Sequence, residues 1–410
     1  MSRSFFAKHP SVLIFIAVLA IFTIMVTLAS DAYGFGWLST SYIKTLGKTL
    51  SLCLVALAMD LIWGYAGILT LGHMAFFALG GYLIGMWLMY ARTEEIVVQA
   101  LAHGGLPATP EEISQGIASQ IFGVVGTSDL PAIWSFAYSL PLQLALALAV
   151  PGLLALVFGW LAFRSRVTGV YLSILTQAMT LALALYLYQN DSGLRGNNGL
   201  SGLQNLPGLT ETSQDLVSIW FFWASALALG LGYLTLAWAV SGKFGSVIRA
   251  IRDDEARVRF LGYPVELYKL FLFTLTALIA ALAGVLYYPQ AGIINPAELA
   301  PIASIYLAVW VAIGGRGRLY GAVIGAAFVS LLSSVFTSGR LPNIPLGPVW
   351  LSWVDWWLVL LGAAFVAVTL FAPKGISGVF DRYQRIAPPD RKGAPLGPAD
   401  GSLQKQEAQA

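Results

Sequence analysis

Few side chains in this chain of 410 residues have the chemistry for catalysis or metal binding. Cys53 is the sole cysteine and lies within an apolar run, which excludes a disulfide pair and a cysteine metal cluster. The histidines His9, His73 and His103 are scattered, which disfavours a histidine metal site. No GxxxxGK[ST] phosphate-binding loop occurs. We therefore expect no catalytic residue and no metal or cofactor on this chain, and any ATP that drives it must be bound by another chain.

Asp60 is the one acidic residue well inside an apolar run, and two interpretations of it are open. An ionisable side chain at membrane depth is a functional hypothesis by default. The alternative is a structural carboxylate that accepts hydrogen bonds from the backbone near Gly64. His73 poses the same choice between a structural donor and a substrate ligand. Thr176 and Gln177 interrupt a later apolar run, where they could line a polar path or hydrogen-bond between helices.

The densest group of charged residues spans 241–269, between two long apolar runs. Each Arg, Lys or Asp at the centre of a bilayer costs about 2.5–3.5 kcal/mol, so this block must be an aqueous loop, and its excess of Lys and Arg places it in the cytoplasm. Apolar residues at helical spacing predict two short helices around an acidic corner, which form either a solvated connector or a docking surface for a cytoplasmic partner. The residues predicted to couple to that partner are Val247, Ile248, Ile251, Arg252, Asp253, Asp254, Glu255, Leu261 and Gly262.

The elements that must position these residues are membrane spans. Hydrophobic residues make up 58% of the chain and charged residues 10%, whereas soluble domains carry about 25% charged residues. The net charge of +3 does not indicate nucleic-acid binding, because the basic residues lie beside the apolar runs. The composition therefore identifies a polytopic membrane protein whose surroundings are membrane lipid.

Ten apolar runs predict an all-α fold of about ten transmembrane helices. The first run is longer than the roughly 7–15 residue core of a signal peptide, so we expect a retained helix. An even number of spans places both termini in the cytoplasm, and most Lys and Arg then lie inside, as the positive-inside rule requires. The runs are Val12–Leu28, Leu46–Trp63, Ile68–Tyr90, Leu142–Phe163, Val170–Tyr188, Val217–Val240, Leu270–Tyr288, Ile302–Ile313, Leu319–Phe336 and Trp353–Phe371.

The spacing of the runs divides the chain into three parts. Residues 1–40 hold the first helix and an external loop, and residues 41–380 form the transmembrane domain. Residues 381–410 are polar and rich in Pro and Gly, which predicts a disordered cytoplasmic tail. The insert 91–139 carries mostly acidic charges and, like 189–216, is expected outside the membrane.

Glycines crowd the junction between the second and third runs. Only the four residues from Gly64 to Gly67 separate these runs, and glycine loosens a helix. The junction is therefore a tight turn or a helix broken inside the membrane, which is tolerated only where it lines a cavity or packs on protein. The residues predicted to form part of a translocation path are Asp60, Gly64, Gly67, Gly72, His73, Phe76, Thr176 and Gln177.

Several stretches together resemble ABC-importer permeases of the branched-chain amino acid type, and the resemblance covers most of residues 40–380. Glu255-Ala256, six and seven residues before Gly262, is similar to the pattern of importer coupling loops. The matching stretches are GYAGILTLGH at 64–73, the coupling-like RAIRD at 249–253 with Leu261-Gly262, GGRG at 314–317 and PKG at 373–375.

Three details within that family look like its urea-transporter branch and the C-type permease subunit. They are DLIW at 60–63, GNNGL at 196–200 and VRFLGY at 258–263. The insert at 91–139 departs from the expected pattern. The chemistry of the residues does not fix the solute, so branched-chain or other amino acids and short amides stay open beside urea.

The resemblance implies a permease of the type II ABC-importer kind in the inner membrane. It further implies a second permease subunit, two ATPase subunits that bind ATP, and an external solute-binding protein. The coupling helices would transmit closure of the ATPases and switch the pore from outward- to inward-facing. The alternative is a secondary transporter driven by protons or sodium, with Asp60 carrying the ion. That class would need more intramembrane acids than the sequence contains and would leave the patterned loop unexplained.

Overall fold

A computed structural model describes residues 10–31, 36–103, 109–122, 131–209, 211–339, 341–342, 344–346, 349–371 and 375–378. It confirms the all-α fold. The helices are α1 (Pro10–Ala29), α2 (Thr40–Asp60), α3 (His73–His103), α4 (Pro110–Phe122), α5 (Leu140–Arg164), α6 (Val170–Tyr188), α7 (Glu211–Ser241), α8 (Lys243–Asp253), α9 (Glu255–Phe260), α10 (Val265–Ala291), α11 (Pro301–Gly314), α12 (Leu319–Thr337) and α13 (Trp353–Phe371). The predicted tail 381–410 lies outside these ranges.

The membrane-crossing helices match the ten predicted runs. Within the described ranges, eight helices are long and apolar enough to cross a membrane, and α11 and α13 are shorter apolar helices. Several helices extend past the apolar runs, because a helix continues with polar residues where it leaves the hydrocarbon. The largest extension is in α3, which runs on to His103 instead of ending at Tyr90.

Helix α2 lies at the centre of the bundle, packed against α7, α10 and α12. Every residue from Thr49 to Asp60 is buried. Small polar side chains complete the contacts: Ser51 Oγ shares a hydrogen bond of 3.1 Å with Ser225 Oγ of α7. The thiol of Cys53 donates to the Val323 carbonyl of α12 at 3.5 Å. Most contacts of this central helix are therefore with protein rather than lipid.

Helices α3 and α10 approach closely because glycines face the contact. A side-chain carbon on Gly80 would collide with the backbone of Ala281, and one on Gly284 would collide with the backbone of Phe77. On Gly81 it would collide with a tyrosine ring of α10. Such small residues let membrane helices pack backbone against backbone. The result is a rigid pair that holds the start of α3 in place.

The ends of the bundle predicted to be external are tied together by short strands and one tryptophan. Strand β1 (Leu200–Ser201) pairs antiparallel with β2 (Ile293–Ile294), which joins the segment after α6 to the segment after α10. Strands β3 (Ile344–Leu346) and β4 (Val349–Leu351) form a second antiparallel pair. Trp134 is buried and its Nε1 donates to the Gly193 carbonyl at 2.7 Å.

The insert 91–139 contains a helical hairpin. The end of α3 packs against α4, and Val97, Ile117 and Ile121 are buried in the hydrophobic core. Glu112 of α4 accepts hydrogen bonds from the Thr109 backbone and hydroxyl at 2.9 and 3.0 Å, which lowers the pKa of this carboxyl. This is the reciprocal arrangement of a capping box, so the start of α4 is fixed by its own sequence.

Candidate coupling and translocation site

The junction between α2 and α3 is a broken helix rather than a simple turn. Helix α2 passes into a single π-helical turn at Leu61–Tyr65, and residues 66–72 are not helical until α3 begins at His73. π-helical turns of this kind occur frequently at functional sites. The turn is buried at Leu61, Ile62 and Gly64. The predicted break is therefore packed against protein.

Asp60 is fully buried at this break, and its carboxylate binds a distant turn. Its Oδ1 accepts a hydrogen bond of 2.7 Å from the Gly317 backbone N–H, in the turn between α11 and α12. No hydrogen-bond partner of Oδ2 lies among the described residues. The structural interpretation of Asp60 predicted a backbone donor near Gly64, and the structure instead places the donor 257 positions along the chain.

Gly64 lies where three segments meet and has no room for a side chain. A carbon added to it would collide with the Asp60 carboxylate and with the backbone of Gly317. Gly67 has a φ of +72°, a conformation that other residues rarely adopt. Glycine is therefore required at the two positions for different reasons. At Gly64 neighbouring atoms leave no space for a side chain, and at Gly67 the backbone conformation favours glycine.

His73 is a packed residue at the start of α3. Its Nδ1 shares a hydrogen bond of 2.7 Å with Thr70 Oγ1, and its ring meets Phe76 and Phe273 edge to face at 6.2 and 6.3 Å. Both His73 and Phe76 are fully buried. These contacts favour the structural interpretation of His73, and Phe76 is one of the aromatic residues packed against its ring.

Hydroxyl groups of α6 satisfy the non-helical backbone before α3. Thr176 Oγ1 accepts from the Leu71 N–H at 3.0 Å, and Ser173 Oγ donates to the Leu69 carbonyl at 2.7 Å. Gly72 packs against Thr176, and a carbon added to it would lie 3.4 Å from the Thr176 Cβ. Gln177 is half-buried. The hydrogen bond from Leu71 supports the interpretation of Thr176 as a structural partner.

The charged block folds as the two predicted short helices, α8 and α9. Asp254 caps α9: its Oδ1 accepts from the Arg257 N–H at 3.0 Å. The cap lies at the predicted acidic corner between the two helices. Capping by Asp satisfies one of the free backbone donors at a helix start.

The apolar stripe of α8 faces the protein, whereas the sequence assigned its residues to a docking surface for a partner. Ile248 and Ile251 are buried, and Val247 packs beside them. Ile251 forms a cluster with Val258 of α9 and Val265 of α10. The stripe is buried within this chain because α8 packs against α7, α9 and the first residue of α10, which the sequence pattern alone could not reveal.

The two most exposed large apolar side chains of the block are neighbours. Phe260 is 94% exposed and the adjacent Leu261 is 71% exposed, at the end of α9. We call this pair the docking tip. Leu261 was among the predicted coupling residues, whereas Phe260 was missed. Its signal in the sequence is an aromatic residue that lies off the stripe in a highly charged loop.

Charged side chains of the block fix α9 to α10. Glu255 accepts from Arg259 Nη2 at 2.9 Å and forms a salt bridge with Lys269, whose side chain is 9% exposed. Arg259 also reaches Glu266 at 2.9 Å. Glu255, predicted as part of a docking corner, therefore holds the loop together internally.

The charged block and the broken helix are in direct contact. Arg252 Nη1 donates to the Gly64 carbonyl at 3.1 Å. The structure thus brings together the loop 241–269, the glycine junction and the turn at 314–318. Helices α8 and α9 can therefore transmit force to the break in α2 without an intermediate element.

Comparison with known proteins adds a family match over most of the chain. Residues 41–369 match the family described as branched-chain amino acid transport system, permease component. The probable branched-chain amino acid transport permease protein LivM of Methanocaldococcus jannaschii is 25% identical over 352 residues, which is 83% of this chain and 93% of LivM.

Two further relatives are autoinducer 2 import system permease proteins named LsrC. The protein from Enterobacter sp. strain 638 is 27% identical over 239 residues, which is 55% of this chain and 62% of the relative. The protein from Klebsiella pneumoniae is 30% identical over 175 residues, 38% of this chain and 46% of the relative. The matches thus span less than two thirds of either LsrC protein. No solved structure matches the chain.

Proposed function

Since the chain belongs to the family of branched-chain amino acid transport permease components, we propose that it is a transmembrane subunit of an ATP-driven importer in the inner membrane. It forms half of the translocation pore and is not itself an enzyme. A second permease subunit completes the pore, two ATPase subunits bind ATP in the cytoplasm, and an external solute-binding protein delivers the solute. The relatives' names as import and transport permeases support this role.

The observation that carries the proposal is the exposed docking tip. Phe260 and Leu261 lie at the end of a charged loop that must be in water. Full burial of a large apolar side chain contributes about 1.5–3 kcal/mol, so this pair gains substantially from a partner that covers it. Aromatic and apolar anchors of this kind often carry most of the binding free energy of an interface. We assign the cover to an ATPase subunit.

The rest of the block fixes the docking tip rigidly to the transmembrane helices. The Ile251 cluster and the Glu255–Lys269 salt bridge hold α8 and α9 against α10. A partner that moves the tip must therefore move α8 and α9 together. The buried stripe stabilises the loop, and the tip contacts the partner.

We propose urea as the solute, on the residues that resemble the urea branch. DLIW at 60–63 leads into the broken helix, and GNNGL at 196–200 lies at the end predicted to be external. There Asn197 and Asn198 are exposed, while Leu200 is buried and pairs with Ile294. A branched-chain amino acid is the second candidate, because the LivM match covers most of both chains.

Co-purification tests the ATPase contact. Phe260→Ser should release the ATPase subunits and abolish solute-stimulated ATP hydrolysis, while the permease stays in the membrane. Tyr171→Ser is the matched control, because Tyr171 is 78% exposed at the start of α6, outside the charged block. Normal ATPase binding by Phe260→Ser would refute the assignment of the tip.

Uptake by the reconstituted importer tests the driving force and the solute. Labelled urea should accumulate with ATP and without an ion gradient, and labelled leucine should not. Leucine accumulation would replace urea with the second candidate. Uptake that follows a proton or sodium gradient without ATP would instead establish the secondary transporter.

A further inference from the structure

One arginine joins the cytoplasmic helices to the break in α2. The donor of the 3.1 Å hydrogen bond to the Gly64 carbonyl is Arg252, the penultimate residue of α8. The stem of the same side chain fills the space beside Gly67: a carbon added to Gly67 would lie 2.6 Å from the Arg252 Cγ. The Arg252 side chain thus contacts both Gly64 and Gly67.

Asp253 orients the guanidinium group of Arg252. Its Oδ1 accepts from Arg252 Nε and from Nη2, each at 3.2 Å. That contact leaves Nη1 directed at the Gly64 carbonyl. A planar fork with fixed donor directions can bridge two acceptors in this way, whereas a lysine ammonium is a point charge. The geometry therefore requires arginine rather than a positive charge alone.

A second element also holds the π-helical turn, next to Gly64. The Gly317 N–H binds Asp60 at 2.7 Å, and the Arg316 guanidinium lies over the Trp63 ring at 5.1 Å. The turn between α11 and α12 and the helix α8 therefore both contact the break at Gly64.

Residues just after the break continue the connection into the membrane. The Leu71 N–H binds Thr176 of α6 at 3.0 Å, and the Met74 N–H binds Ser304 of α11 at 3.3 Å. A displacement of the Gly64 carbonyl would consequently reach the start of α3 and its contacts with α6 and α11. No side chain of α8 needs to enter the membrane for this to happen.

We propose that Arg252 is the positioning residue through which movement of α8 and α9 reaches the broken helix. This rests on the proposed function, because the movement originates where an ATPase subunit holds the docking tip. The Arg252 side chain is 40% exposed, so the Gly64 contact lies at the boundary between water and the bundle and can break and re-form. When the tip moves, Arg252 carries the Gly64 carbonyl with it and reshapes the junction.

Hydrogen exchange on the full-length permease in lipid nanodiscs tests the contact without any partner. In Arg252→Gln, the backbone amides of 64–72 should exchange about tenfold faster, as loss of a charged hydrogen bond predicts. Lys243→Gln is the matched control, because it removes one positive charge from the other, exposed end of α8. The control should exchange like the wild type. Equal exchange in Arg252→Gln and Lys243→Gln would overturn the proposal.

The assembled importer then tests transmission. The ATPase subunits should still co-purify with Arg252→Gln, while the number of solute molecules imported per ATP hydrolysed falls by about tenfold. Arg252→Lys should fall almost as far, because it restores the charge without the fork. An unchanged ratio in Arg252→Gln would refute the role in transmission. A wild-type permease that binds no ATPase would refute the proposed function, and the exchange experiment would still decide whether Arg252 controls the junction.

Discussion

Removal of the Glu255 carboxylate should open the coupling loop far more than removal of its partner Lys269. The Lys269 side chain is 9% exposed and that of Glu255 is 27% exposed. Among the described residues, Glu255 is the one carboxylate within salt-bridge distance of Lys269. Glu255→Gln therefore leaves a buried ammonium without its counter-charge, whereas Lys269→Met leaves Glu255 with Arg259 and some contact with water.

The magnitudes follow from this asymmetry. Breaking a buried ion pair costs about 3–5 kcal/mol, and the partial exposure of Glu255 reduces that to roughly 2–3 kcal/mol for Glu255→Gln. Methionine replaces the lysine stem with similar volume, so Lys269→Met should cost about 1 kcal/mol or less. Since 1.4 kcal/mol is a factor of ten, local opening of α9 should rise roughly 30- to 150-fold in the first variant and less than about tenfold in the second.

Limited proteolysis of the purified permease measures that opening, because a protease cleaves the loop only when α9 detaches. The rate of cleavage between 254 and 262 should follow the order Glu255→Gln, Lys269→Met, wild type. The double variant should behave like Lys269→Met, because it contains no unpaired ammonium. Faster cleavage of Lys269→Met than of Glu255→Gln would refute the assignment of the buried charge.

Three further predictions concern the break in α2 and the segment between α10 and α11. Asp60→Asn keeps an oxygen that accepts from Gly317, so ATP-driven uptake should stay within about threefold of the wild type; loss of uptake in a correctly assembled importer would revive an ion-carrying role. Gly64→Ala collides with Asp60 and Gly317 and should sharply reduce the yield of folded protein in size-exclusion chromatography, whereas Gly362→Ala, which has open space around it, should not. Burial raises the pKa of Glu298, so the folded chain keeps this carboxyl protonated to higher pH than the unfolded chain does. The protonated carboxyl favours the folded state, and this contribution to stability is lost as pH rises through the pKa of the folded chain. Glu298→Gln should accordingly raise the melting temperature more at alkaline than at acidic pH, and a constant difference would contradict the assignment.

Local features of this fold were predictable, because hydropathy and capping act over a few neighbouring residues. The apolar runs located the eight long apolar helices and the two shorter ones of the described ranges, and Asp254 marked the corner between α8 and α9. The glycine junction was identified as irregular, although its π-helical form was not. Each of these signals lies within a few residues of the structure that it specifies.

Contacts between distant segments were not predictable from the sequence. The Arg252–Gly64 hydrogen bond spans 188 positions and the Asp60–Gly317 bond spans 257. The stripe containing Ile251 was assigned to a partner because periodicity shows that a helix face is apolar but not which surface covers it. Here α9 and the first residue of α10 pack on Ile251, and we propose that the docking role passes to Phe260, which lies off the stripe.

The length of α3 determines how far the end of this helix projects from the membrane. Its 31 residues span about 46 Å at 1.5 Å per residue, against about 30 Å for the hydrocarbon layer. A helix that crosses close to the bilayer normal therefore stands about 15 Å clear of the lipid, and α4 braces the projecting end. A protein that approaches from that side contacts the projecting end of α3 before it reaches the bilayer. The projecting end of α3 would therefore hold a flat partner surface away from the lipid.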